Sequence, residues 1–262
     1  MTVGTYPQLT SGALSQFPIV KQRKQRTVLN ALADGSTIKL ADPAGGTVGW
    51  ELRYENLSDT EINALQQFFL AVEGSLNSFT FLDPTGNLLA WSGNLSNAVW
   101  QAAPFLTLTG GLADPFGGSG AWHLTNSGGG AQMLAQTLNV PTSYTYCFSV
   151  YAFSSQPTTI QLQLGKNSAQ VALNSQWSRC QITGTGDPSA NAVELGIGLA
   201  AGATLSVFGP QAEAQLAPSA YKATTEGGVY TNARFRDDTF TFTTTDVNRH
   251  SATVNILYAN SL

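Results

Sequence analysis

The stretch TTIQLQLGKNSAQVALNSQWSRCQITGTG, residues 158–186, decides the fold class. Apolar and polar residues alternate in three short segments of this stretch, and clusters of Gly, Asn and Ser separate the segments. Alternation is typical of half-buried β-strands, and such clusters are typical of turns. The same pattern, with a strand about every 8–12 residues and no convincing helix, continues through residues 88–225. It predicts an antiparallel β-sandwich, or jelly roll.

The charged residues are distributed unevenly along the chain. Only 11% of the 262 residues are charged, whereas an ordinary soluble domain carries about 25%. Residues 88–225 contain four acids and three bases, and the two flanks contain all the others. A shift in composition of this kind is typical of a domain boundary. We therefore predict a discontinuous domain formed by residues 1–87 and 226–262, with a second domain, residues 88–225, inserted between them.

The flanks predict a mainly β domain, sandwich-like or barrel-like, with one helix. Ser58 and Glu61 form an S-x-x-E capping box, and Ile62 and Leu65 begin an apolar pattern at helical spacing. Alternation over residues 48–55 predicts a strand, and residues 240–258 predict a hairpin. Because a lone hairpin is only marginally stable, we expect it to complete the sheet that the first flank begins.

Composition excludes several classes of function. The net charge of −4 argues against a general polyanion binder. The most apolar run, residues 193–209, contains Glu194 and is too short to span a bilayer, so we expect no membrane insertion. Two histidines and no Cys-x-x-Cys motif argue against a metal site, and no cofactor is indicated. Cys147 and Cys180 are interpreted as buried thiols, with a disulfide as the alternative.

Catalytic chemistry is poorly supported by the residues available. Glycoside hydrolysis needs two carboxylates about 5–10 Å apart, and nothing in the spacing of the four acids in residues 88–225 suggests such a pair. His123 and His250 accompany no G-x-S-x-G motif, which argues against serine hydrolase chemistry. We therefore expect no enzymatic activity.

Residues 88–225 resemble the jelly-roll modules of the carbohydrate-binding type found in phage tail proteins. The segments that carry this resemblance are NLLAWSGNLSNAVW, AWHLTNSGGGAQMLAQTL, YTYCFSVYAFS, WSRCQITGTG and the closing FGPQAEAQLAPSAYKATT. The closing segment is the most specific, because such modules end with a G-P-Q-x-E turn followed by a tyrosine and threonines. The resemblance implies a module that contacts host-surface glycans.

The flanks resemble distal tail or tail-tip proteins of tailed phages and of related particles such as gene transfer agents. The segments that carry this resemblance are FPIVKQRKQRTVLNALADGSTIKL, WELRYENLSDTEINALQQFFLAVEGSLNSFTFLDP and RFRDDTFTFTTTDVNRHSATVNILY. The resemblance implies a virion structural protein at the tail tip or baseplate. It would assemble with itself into a ring, a hexamer by resemblance, and contact neighbouring tail proteins.

A glycan site requires aromatic rings for the apolar faces of sugars and amides for their hydroxyl groups. Gln161 and Gln163 point the same way on one predicted strand, and Gln132 and Gln136 are expected to share a face of a neighbouring strand. The predicted glycan-binding residues are Trp100, Trp122, Tyr144, Tyr146, Gln132, Gln161 and Gln163. The competing interpretation is that each aromatic residue belongs to the core.

The run KQRKQR contains four bases, Lys21, Arg23, Lys24 and Arg26. Nucleic-acid binding is not favoured, because the flanks are near neutral and no aromatic residues interleave the run. We interpret the four bases as part of a subunit interface. Two alternatives stay open for the whole chain: a tail assembly protein whose insert is decorative or protein-binding, and a free-standing glycan-binding lectin or glycan hydrolase.

Overall fold

The computed structural model describes residues 4–259. Over this range the chain forms one α-helix and sixteen β-strands, which confirms the prediction of a mainly β chain with one helix. In chain order these elements are β1 (Ile19–Ala31), β2 (Thr37–Leu57), α1 (Asp59–Ala71), β3 (Phe79–Leu82), β4 (Gln101–Ala102), β5 (Leu106–Leu112), β6 (Ala121–Asn126), β7 (Gln132–Leu138), β8 (Thr145–Phe153), β9 (Thr158–Leu164), β10 (Asn167–Leu173), β11 (Ser178–Thr185), β12 (Val193–Leu199), β13 (Thr204–Glu213), β14 (Val229–Phe235), β15 (Phe242–Asp246) and β16 (Arg249–Ala259).

The chain divides into two compact units. The first consists of the described parts of Met1–Thr10, Leu14–Phe81 and Tyr230–Leu262. The second consists of Ser11–Ala13 and Leu82–Val229. The first unit is therefore discontinuous in sequence, and one continuous segment forms almost all of the second.

Helix α1, in the first unit, begins at the predicted capping box. Ser58 Oγ accepts a hydrogen bond from the backbone N–H of Glu61 (3.3 Å), and the Glu61 carboxylate accepts one from the backbone N–H of Ser58 (3.0 Å). These two bonds satisfy donors that the start of a helix leaves unpaired. Ile62 and Leu65 are buried, so the apolar stripe of the helix faces the core of this unit.

A six-stranded sheet forms most of the first unit. Its strand order is β1-β2-β16-β14-β3, and β15 also pairs with β16. The predicted closing hairpin is confirmed as β15 and β16, and β16 pairs antiparallel with β2. The last segment of the chain therefore completes a sheet that the N-terminal flank begins.

The hairpin of β1 and β2 extends beyond the rest of this sheet. β16 pairs with β2 only as far as Thr47, whereas β1 and β2 pair with each other as far as Ala31 and Thr37. We call residues 26–42 the arm, and no other described strand pairs with it. Its exposed apolar side chains are those of Val28, Leu29, Leu32, Ile38 and Leu40.

Two five-stranded antiparallel sheets face each other in the second unit. Their strand orders are β10-β9-β12-β7-β4 and β11-β8-β13-β6-β5. Inward-pointing side chains such as Leu162 on β9 and Phe148 on β8 are fully buried between them. The antiparallel sandwich that alternation predicted for this part of the chain is confirmed.

Backbone hydrogen bonds hold the two ends of the second unit together. The N–H of Asp83 donates to the carbonyl of Gly228 (2.8 Å), and the N–H of Gly228 donates to the carbonyl of Asn87 (2.8 Å). The N–H of Leu88 donates to the carbonyl of Ala212 on β13 (2.8 Å). The chain therefore enters and leaves this unit at adjacent positions.

Cys147 and Cys180 are free and buried, which confirms their interpretation as buried thiols. Burial raises the pKa of both thiols. Among residues 4–259, no helix is long and apolar enough to cross a membrane. The same residues contain no group of three His, Cys, Asp or Glu side chains that could hold a metal ion.

Candidate functional site

The outer face of the sheet β10-β9-β12-β7-β4 carries a row of glutamines. Gln161 and Gln163 point outward from β9 because Ile160, Leu162 and Leu164, which alternate with them, are buried on the inner side. Gln170 on β10 lies directly opposite Gln161. At the other edge of the sheet, Gln101 on β4 pairs with Ala135 on β7 and shares the outer face. We call this surface the glutamine face.

A shallow trough runs along the middle of the glutamine face. Gly196 and Gly198 on β12 lie opposite Gln163 and Gln161, so no side chain rises from the central strand at these two positions. Met133 on β7 lies over both glycines. A Cβ atom added at Gly196 would come within 2.5 Å of Met133 Sδ, and one added at Gly198 within 3.2 Å of Met133 Cε. The two glycines leave room for the flexible thioether side chain of Met133, which forms part of the surface of the trough.

One carboxylate borders the trough. Glu194 is exposed on β12, and its Oε1 accepts a hydrogen bond from Gln163 Nε2 (3.1 Å). The same amide nitrogen also donates to the carbonyl of Gly165 (3.1 Å), so the Gln163 side chain is held in place. Side-chain amides both donate and accept hydrogen bonds. The amides of the face suit uncharged hydroxyl-rich ligands, and Glu194 is the one carboxylate within its five described strands.

Two of the predicted aromatic residues belong to the core instead. Trp100 is 5% exposed, and its indole N–H donates to the carbonyl of Trp91 (3.1 Å). Tyr146 is fully buried, its hydroxyl donates to the carbonyl of Pro141 (2.7 Å), and burial raises its pKa. Neither ring is available for stacking on a sugar, which corrects the expectation that both would bind glycans.

Trp122 and Tyr144 lie away from the glutamine face. Trp122 is a half-buried residue of β6 in the opposite sheet, where its indole N–H donates to the carbonyl of Gly93 (3.1 Å). A Cβ atom added at Gly110 would approach the Trp122 ring to 3.0 Å, so the ring packs closely on that glycine. Tyr144 precedes β8 of the same sheet and is half-buried. A role of either ring in glycan binding remains a prediction.

Gln132 and Gln136 share a face of β7, as expected, but it is the inner face. Gln136 is buried, accepts a hydrogen bond from the N–H of Ala90 (2.8 Å) and donates one to its carbonyl (3.0 Å). The Oε1 atom of Gln132 is buried without a hydrogen-bond partner. In addition, β12 separates β7 from β9. Gln132 therefore does not join Gln161 and Gln163, which corrects the predicted site.

Three residues of the glutamine face were not predicted from the sequence. Gln170 and Gln101 could have been found by extending the alternation argument to the flanking strands. Met133 gives no signal by itself, because its position depends on the pairing of β7 with the glycines of β12.

A separate aromatic cluster lies on the outer face of the opposite sheet. Phe116 is 67% exposed, and its ring centroid lies 5.4 Å from that of Tyr151 and 5.8 Å from that of Phe208. Asp114 accepts hydrogen bonds from the N–H groups of Gly120, Phe116 and Gly118, which lower its pKa and hold the loop that presents Phe116.

The four bases of the predicted subunit interface lie on β1 in the first unit. This strand is at the edge of its sheet. Lys21 Nζ lies 5.5 Å from the centroid of the Trp50 ring, and Arg26 forms an ion pair with Asp42 at the base of the arm. Arg23 and Lys24 are exposed. Exposed charges on an edge strand also discourage uncontrolled strand pairing.

No protein-family model matches the chain, and no curated protein matches it. Among solved structures, the enzymatically active domain of tailspike protein 4 from bacteriophage CBA120 is 12% identical, with a TM-score of 0.37. That match covers 51% of this chain but only 22% of the tailspike domain.

Two carbohydrate-binding modules of family 22 are also similar. The C-terminal module of Clostridium thermocellum Xyn10B is 16% identical, with a TM-score of 0.42 over 53% of this chain and 99% of the module. The xylan-binding CBM22-1 domain of Paenibacillus barcinonensis Xyn10C is 13% identical, with a TM-score of 0.42 over 52% and 99%. At these identities, the similarity to all three structures is one of fold alone.

Proposed function

We propose that the chain is a non-enzymatic structural protein of a phage tail tip or baseplate. In this proposal the second unit binds host-surface glycans, and the first unit assembles with copies of itself into a ring next to other tail proteins. Weak glycan sites repeated around a ring would act together, since multivalency raises apparent affinity without any strong single site.

The glutamine face is the observation that supports the proposal of glycan binding. It combines outward amides on β9, β10 and β4 with a glycine-floored trough partly lined by Met133. Sugar hydroxyls need partners that donate and accept hydrogen bonds, and the amides provide both. An apolar thioether can contact the C–H face of a sugar ring.

Replacing both Gln161 and Gln163 by alanine is expected to weaken glycan binding about tenfold, since each neutral hydrogen bond contributes about 0.5–1.5 kcal/mol. The full chain should be tested on an array of neutral bacterial polysaccharides, followed by calorimetry on the best ligand. The matched control is Gln181→Ala, which removes an exposed glutamine from β11 of the opposite sheet. Failure of the unaltered chain to bind any glycan, or equal binding by the double variant, would contradict the proposal.

The arm is the observation that supports self-assembly. Leu29 is 61% exposed and Leu40 is 49% exposed, on a two-stranded ribbon that no other strand supports. An isolated two-stranded hairpin is only marginally stable in water, and contact with a second copy would cover its apolar side chains. The bases Lys21, Arg23 and Lys24 adjoin the arm and Arg26 begins it, and these four side chains would form the polar part of the same interface.

Substituting Leu29 and Leu40 by serine is expected to convert an oligomer into a monomer. The measurement is the molar mass by light scattering across a concentration series. Leu70→Ser is the control, because Leu70 is equally exposed (58%) but lies on α1. An unaltered chain that is monomeric at every concentration, or a double variant that keeps the oligomeric mass, would refute assembly through the arm.

A further inference from the structure

The glutamine face is almost free of charge. The five strands β10, β9, β12, β7 and β4 contain a single charged residue, Glu194. Glu194 is opposite Thr137 on β7, so its side chain emerges beside the trough at the end nearer Gln163. A ligand lying along the trough would pass close to one carboxylate and to no cation of these strands.

The negative charge of Glu194 is not neutralised by a neighbouring base. Within residues 4–259 Glu194 forms no ion pair, and its side-chain partner is the neutral amide of Gln163 at 3.1 Å. Lys166, in the turn between β9 and β10, is engaged elsewhere: its Nζ lies 2.6 Å from Asp187 Oδ1 and 3.0 Å from Ser189 Oγ. The field over the trough is therefore negative at this end.

We propose that Glu194 makes the glutamine face selective for uncharged glycans and against glycans that carry carboxylate or phosphate groups. This inference rests on the proposed glycan binding by the same face. Two like charges repel each other with an energy that depends on solvent exposure, and Glu194 is exposed. We expect a preference for the neutral polymer of about three- to tenfold at low salt. The preference should shrink as salt shortens the Debye length.

The role of Glu194 is electrostatic and does not require a hydrogen bond between its carboxylate and the sugar. Replacement by glutamine keeps the size of the side chain and an oxygen that can accept the hydrogen bond from Gln163, while it removes the charge. The variant Glu194→Gln should therefore bind the carboxylated glycan as well as the neutral one, and the ratio of the two affinities is compared within the same variant.

The test compares one polysaccharide in two forms. The probes are the neutral polysaccharide that binds best on the array and the same polymer after oxidation of its primary hydroxyl groups to carboxylates. Both are titrated into the full chain, Glu194→Gln and Glu226→Gln at low and at physiological salt. Glu226→Gln removes another exposed acid from the second unit, outside the glutamine face, and controls for net charge.

The expected result is a preference for the neutral polymer that Glu194→Gln abolishes and Glu226→Gln retains. Equal binding of the two polymers by the unaltered chain, or a preference that survives in Glu194→Gln, would overturn the role of Glu194. Those outcomes leave glycan binding intact if the neutral polymer still binds and remains sensitive to loss of Gln161 and Gln163. Binding of neither polymer would instead refute the proposed function itself.

Discussion

Replacing Asn87 by alanine is expected to lower the free energy of unfolding of the second unit by about 3–5 kcal/mol. Asn87 is fully buried and uses every hydrogen-bonding position of its side chain. Its Nδ2 donates to the carbonyls of Pro210 (3.0 Å) and Lys222 (3.3 Å), and its Oδ1 accepts from the N–H groups of Leu89 (3.1 Å) and Ala212 (3.0 Å). Alanine would leave these buried groups without partners, and the cost is measured by denaturant unfolding.

Two further variants sharpen this test. Asn87→Asp should be at least as destabilising at neutral pH, because a carboxylate would replace the amide group that faces two carbonyl oxygens. Asn191→Ala, at an exposed position of the same unit, should change stability by less than about 0.5 kcal/mol. If Asn87→Ala also changes the free energy of unfolding by less than about 0.5 kcal/mol, the Asn87 side chain does not hold the ends of the unit together.

Replacing Glu213 by alanine is expected to destabilise the second unit by about 3 kcal/mol. Glu213 is 3% exposed at the end of β13. Its carboxylate accepts hydrogen bonds from the Ser219 N–H (2.9 Å), from Ser219 Oγ (2.5 Å) and from Gln211 Nε2 (2.8 Å), and Lys222 Nζ lies 3.7 Å away. Its loss would weaken the attachment of the segment that follows β13, because Ser219 and Lys222 of that segment both contact this carboxylate.

The readout for Glu213 combines thermal unfolding with limited proteolysis. We expect Glu213→Ala to melt at a lower temperature and to be cleaved in residues 214–222, whereas Glu226→Ala should behave as the unaltered chain. Cleavage elsewhere with residues 214–222 still protected would mean that other contacts attach this segment. One such contact is the hydrogen bond from Thr183 Oγ1 to the carbonyl of Leu216 (3.0 Å).

Local patterns predicted most of the secondary structure correctly, and the exceptions have physical causes. Ser58 and Glu61 located the start of α1 because both capping partners lie within one turn. The arm was missed because residues 42–46, DPAGG, have the composition of a turn. β1 pairs with β2 on both sides of this stretch, at Lys24–Thr47 and at Arg26–Asp42, so residues 43–46 form an irregularity within one long strand. Gly45 fits there because a Cβ atom would lie 2.7 Å from Arg26 Cβ.

The alternation of apolar and polar residues identified the part of the candidate site that lies on β9, but it could not identify which residues lie next to that part in the folded chain. Gln161 and Gln163 follow directly from the pattern of β9, and alternation on β8 places Tyr146 on the same face as Phe148, whereas the burial of Ser149 on the opposite face could not be predicted in this way. On β8 both faces are covered: Phe148 lies between the sheets, and Ser149 is buried on the other side. Arg179 spans from Ser149 Oγ to the carbonyl of Ser219, which shows that residues distant in sequence provide that cover. A local sequence pattern cannot show that residues distant in sequence bury the outer face of a strand.

The paired ends of the second unit have a consequence for how such a chain can evolve. Residues 83–87 and Gly228 are joined by backbone hydrogen bonds, so a cut at both places removes a whole folded body and leaves a gap that a short turn can bridge. Recombination at these two points could exchange the second unit for another folded module. Under the proposed function, such an exchange would change the recognised surface in a single genetic event and leave the first unit unaltered.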